Sequence, residues 1–106
     1  MTEQLKKLSD VASEAHRRIQ IDFEQLNPVI GVSQKMRDIG IPADAMMIDC
    51  LKTKKRIVIV LSDQEPDVVR FQFSYIDKDP SDTFEKCSLS GLTPDLMYQW
   101  MKTYFL

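Results

Sequence analysis

Glycine occurs only three times in 106 residues, cysteine twice, and histidine and tryptophan once each. Each shortage closes a route to function. Gly31, Gly40 and Gly91 stand far apart, so no glycine-rich dinucleotide fingerprint, phosphate-cradling P-loop or nucleophile elbow is present. With His16 as the sole imidazole, histidine-pair metal sites and the usual histidine-based triads lack their parts, and a surface position on the first helix is expected for it. Cys50 and Cys87 lack CxxC spacing, which argues against a zinc knuckle or a disulfide framework and for reduced, structural thiols. Of the two, Cys87 beside Lys86 is the stronger candidate for reactivity.

Long apolar runs and charge of one sign are also missing. The longest aliphatic run, Ile57 to Leu61, is too short to span a bilayer, and the opening MTEQLKKLSD has no signal-peptide core. A cytoplasmic protein without a membrane partner is expected. The formal net charge is −2, so no global positive field draws the chain to nucleic acid or anionic lipid.

What remains is the composition of an ordinary folded domain, 43% hydrophobic and 28% charged, and the chain is long enough to close one core as a single domain over 1–106. From Glu3 to Leu26 apolar residues recur at spacings of three and four (Leu5, Leu8, Ala12, Ala15, Ile19, Phe23, Leu26), predicting an amphipathic helix. Asn27-Pro28 interrupts it and reads as the cap and first turn of a second helix to about Ile39. Gly40 then supplies a left-handed stop, reinforced by Ile41-Pro42.

Residues 44–52 fit either helix or strand. A helix running into IVIVL would need a backbone change that no Gly, Asn or Pro supplies, so a hairpin turning through Thr53-Lys54-Lys55 is preferred. Ile57–Leu61 predicts a strand buried on both faces, and VVRFQFSYID alternates as a strand with one wet face. TFEKCSL is a further strand. Thr93-Pro94-Asp95 opens a last helix whose Leu96, Met97, Trp100, Met101, Tyr104 and Phe105 form an apolar stripe. The expected fold is α+β: two N-terminal helices, an antiparallel meander of about four strands, and a C-terminal helix packed on the sheet. Short connections exclude parallel neighbours.

Lys52, Lys54, Lys55 and Arg56 form the densest positive cluster and are the candidate anion or nucleic-acid contact. No aromatic is interleaved for base stacking, and a solvated hairpin tip that discourages edge pairing needs the same residues. Asp77, Asp79 and Asp82, like Asp63, Glu65 and Asp67, lack calcium-loop spacing and read as turns. Among six methionines, Met36, Met46, Met47, Met97 and Met101 lie near apolar faces, where thioethers fill cores or adapt to partners. These observations lead to a small non-enzymatic protein-interaction or regulatory module, homodimeric and without cofactor or metal. The alternative is anion or nucleic-acid binding through the basic hairpin tip.

Overall fold

The N-terminal periodicity becomes one long helix, α1 (Glu3–Asp22), in the computed structural model, which describes residues 2–106. Thr2 caps it by accepting the Leu5 N–H at 3.1 Å. The buried face carries Leu5, Leu8, Val11, Ala12, Ala15 and Ile19. The helix stops at Asp22 rather than Leu26, because Phe23 leaves helical dihedrals. Glu24–Leu26 then tightens into a 3-10 turn that ends on Asn27 with φ +37°.

The expected second helix is not there. Pro28–Ile39 instead supplies strand β1 (Val29–Ser33) and a single helical turn, α2 (Lys35–Asp38). Val29, Ile30 and Val32 are β-branched and Gly31 is a poor helix interior, so local preference favours extension. Pairing with the next strand supplies the tertiary reason. Gly40 does stop α2, at φ +92°. Its N–H bonds Arg37 O at 3.1 Å while Ile41 N–H bonds Met36 O at 2.8 Å, the paired bonds of a Schellman stop.

Four more strands follow: β2 (Ala43–Cys50), β3 (Lys55–Ser62), β4 (Glu65–Tyr75) and β5 (Glu85–Ser88). Residues 43–50 are therefore strand, and the sheet holds five strands, not four, in the antiparallel order β1-β2-β3-β4-β5. The α+β meander is as expected in kind. The register lines up Met46, Ile59 and Phe71 across three strands, and beside them Ile48, Ile57 and Phe73. A register shift between Leu61 and Ser62 leaves Pro66, Asp67 and Val68 as a bulge. That suits a proline without an N–H to give.

Helix α3 (Pro94–Phe105) starts as expected, with Thr93 accepting the Leu96 N–H and Pro94 in the first turn. It lies beside α1, and Met97, Met101 and Phe105 join α1 and the sheet in one core. Arg18 binds the helices together: it lies over the Tyr98 ring at 4.4 Å and reaches Asp95 at 3.2 Å. The Tyr98 hydroxyl donates to Asp22. Both helices lie on one face of the sheet. The other face carries Ala45, Met47, Val58, Val60, Arg70 and Gln72, and Gln72 ties the 76–84 loop to it through Ser81 and Thr83. Among the described residues no helix is long and apolar enough to cross a membrane.

Candidate functional site

Backbone hydrogen bonds alternate across an antiparallel ladder, so one bond outside the ladder fixes the direction of all the others. Leu89 N–H bonds Asp67 O at 2.8 Å and Ile76 N–H bonds Lys54 O at 2.9 Å. Odd-numbered residues of β4 therefore aim their N–H and C=O at β5, and even-numbered ones at β3. The β4–β5 ladder ends at the pair Phe71–Glu85, because the chain leaves the strand line to reach Gln72. Phe73 is left with no backbone partner on its outer edge among the described residues.

Beside that edge is an aromatic groove of about 300 Å³, lined by Phe73, Gln99, Trp100, Thr103 and Tyr104. Trp100 stacks on Phe71 with ring centroids 4.3 Å apart and meets Phe73 edge-on at 6.1 Å; Tyr104 leans on Phe73 at 5.0 Å. The Tyr104 hydroxyl donates to Ser74 O, and burial pushes its pKa up. Phe73 remains 37% exposed. The groove thus combines rigid apolar walls with one unpaired backbone donor and acceptor, which suits an extended segment entering edge-on.

The basic cluster is divided by the turn that carries it. Lys55 Nζ donates to Tyr104 O at 2.9 Å near the end of α3, where a cation favours the helix dipole. Arg56 makes a two-pronged pair with Asp49 at 2.8 and 2.9 Å, which raises the guanidinium pKa. Lys52 and Lys54 are exposed, and their side chains make no hydrogen bond or ion pair among the described residues. Two of the four cations are thus committed inside the chain.

His16 is half-buried rather than on the open surface, and Nε2 donates to Pro28 O at 2.7 Å, joining α1 to the start of β1. Cys50 is buried with Sγ 3.8 Å from Leu26 O. Cys87 is half-buried, and burial reinforced by Asp67 raises its pKa, the reverse of thiolate activation. The DQEPD carboxylates diverge: Asp63 pairs with Arg37, Glu65 with Arg70, and Asp67 accepts from Ser90 N–H and Oγ–H.

Arg37 was not visible as a special residue in the sequence. From α2 it grips Asp44 at 3.1 and 2.9 Å and Asp63 at 2.8 and 3.0 Å. Asp44 is buried, and the Arg37 guanidinium holds its carboxyl below the usual range. The cluster tethers α2 to the sheet. Compared with known proteins, the chain matches no family model, no curated protein and no solved structure.

Proposed function

We propose that this chain is a protein-interaction module that works as a homodimer and binds partner chains without transforming a substrate. The observation that carries the reading is the Phe73–Trp100–Tyr104 groove beside an unpaired strand edge. Aromatic side chains supply large contact area at low entropic cost, and strand addition supplies directional bonds. The ligand class is an extended peptide segment that places an apolar side chain in the groove. The unpaired thiols of Cys50 and Cys87 fit a cytoplasmic setting.

The test is affinity capture of the tagged protein from its host extract, with and without nuclease, beside a Gln99→Arg/Thr103→Arg variant. Both positions are exposed on the groove wall, so the variant is expected to fold normally. Protein partners that survive nuclease and disappear with the variant support the reading. Capture lost on nuclease treatment, or lost on changing Lys52 and Lys54 to Ser, replaces it with the nucleic-acid reading.

A further inference from the structure

Strand β1 forms one edge of the sheet, and its sequence, Val29-Ile30-Gly31-Val32-Ser33, contains no charge and no proline. Folded monomers blunt such edges with charges, prolines or bulges, as β5 does with Glu85 and Lys86 at the other edge. Asp63 N–H bonds Pro42 O at 2.9 Å, so even-numbered residues of β2 face β3 and odd-numbered ones face β1. Val29, Gly31 and Ser33, opposite Asp49, Met47 and Ala45, therefore exchange backbone bonds with β2. Ile30 and Val32 present their N–H and C=O groups outward.

We infer that β1 pairs antiparallel with β1 of a second copy about a twofold axis through Gly31, joining the two sheets into one. This rests on the homodimer reading above and names its surface. In that register Ile30 meets Val32 of the second copy, and each outward N–H finds an outward C=O. Gly31 meets its own copy in the wide pair, where Cα atoms approach to about 4.5 Å. Glycine leaves that approach unobstructed.

Three further features fit the same register. Val29 and Val32 are 50% and 47% exposed, and pairing covers them. A groove of about 290 Å³ lined by Ser13, His16 and Ile30 lies on the side of the sheet where Val32 of the second copy, paired with Ile30, places its side chain. Residues before β1 include Asp22 and Glu24, and those after it include Lys35. An antiparallel twofold brings the acidic flank of one copy beside the basic flank of the other. Among the described residues, Glu24 and Lys35 make no ion pair within the chain. The groove at Phe73 lies toward the opposite edge, so pairing through β1 leaves it open in both copies and yields a bivalent module.

The test uses charge at the axis. A Cβ added at Gly31 meets nothing within 4 Å in the single chain and the position is exposed, so Gly31→Lys and Gly31→Glu are compatible with the monomer fold, which circular dichroism checks. Sedimentation should show wild type dimerising in the micromolar range and each variant weakened about tenfold or more by like charges facing across the axis. An equimolar mixture of the two variants should recover a heterodimer. As a measurement on the unaltered chain, hydrogen exchange at the Ile30 and Val32 amides should slow at concentrations where the dimer forms. A wild type that stays monomeric overturns both this interface and the homodimer reading. A wild-type dimer insensitive to charge at residue 31, or one that leaves those amides in fast exchange, overturns the β1 interface alone.

Discussion

Arg37 and Asp44 show how a few side chains hold a weak element in place. A one-turn helix such as α2 has little stability of its own, and Arg37 ties it to a carboxylate buried on β2 and to Asp63 in the β3–β4 turn. Changing Arg37 to Met would leave the Asp44 carboxylate with only the Gln34 amide, at 3.3 Å. A buried carboxylate left without its cation destabilises the fold, which urea denaturation at pH 7 should report. The pH dependence follows from the same pair. The Asp44 pKa is lowered in the folded state, so its contribution is fully present above the unfolded value of about 4 and is lost as pH falls through the folded value. Asp44→Asn should therefore be less stable than wild type at pH 6, and the difference should shrink on acidification below about pH 4. A constant difference from pH 6 to pH 2 would show that the pair does not act through charge.

At the scale of elements, the hairpin β2–β3 was legible because its signals agree: polar turn, β-branched run, and no residue to bend a helix. β1 was not, because Asn27-Pro28 resembles a helix start, and only the register against Asp49, Met47 and Ala45 decides for a strand. Without that register the free edge of β1 has no signature in the sequence. The aromatic groove was half legible: Trp100 and Tyr104 stand out as an i, i+4 stripe, but Phe73 joins them only through the fold. KTKKR is a turn, as its composition implies, yet its lysines differ in ways composition does not encode. Lys54 sits at φ +60°, which disfavours a side chain, so Lys54→Gly should raise stability by about 0.5–1 kcal/mol. Lys55→Ser should lower it by about 1 kcal/mol through the lost bond to Tyr104 O. In β3, Ile59 is fully buried between Met46 and Phe71, and Ile59→Ala should cost about 2–5 kcal/mol. Thermal or urea unfolding measures all three, and a neutral Ile59→Ala would contradict a close-packed core.

The molecule as a whole is built one-sided: both long helices cover one face of the sheet, and the loop 76–84 partly covers the other. That loop carries Asp77, Asp79 and Asp82, yet it returns to the sheet rather than extending into solvent. Gln72 is the reason. It is 7% exposed, its amide donates to Ser81 O at 3.0 Å and Thr83 O at 3.3 Å, and its carbonyl accepts the Ser81 N–H at 3.0 Å. Its cross-strand neighbour Val58 is buried at 5% exposure although it faces away from the helices. Gln72→Leu would keep the volume beside Val58 but remove the bonds, each worth about 0.5–1.5 kcal/mol net. The loop should then open more often while the core stays intact. Limited trypsin digestion should cut after Lys78 roughly tenfold faster in the variant, with little change in the global unfolding midpoint. Unchanged cleavage would mean that Gln72 does not hold the loop; a large fall in the global midpoint would mean that the loop belongs to the cooperative core rather than lying on top of it.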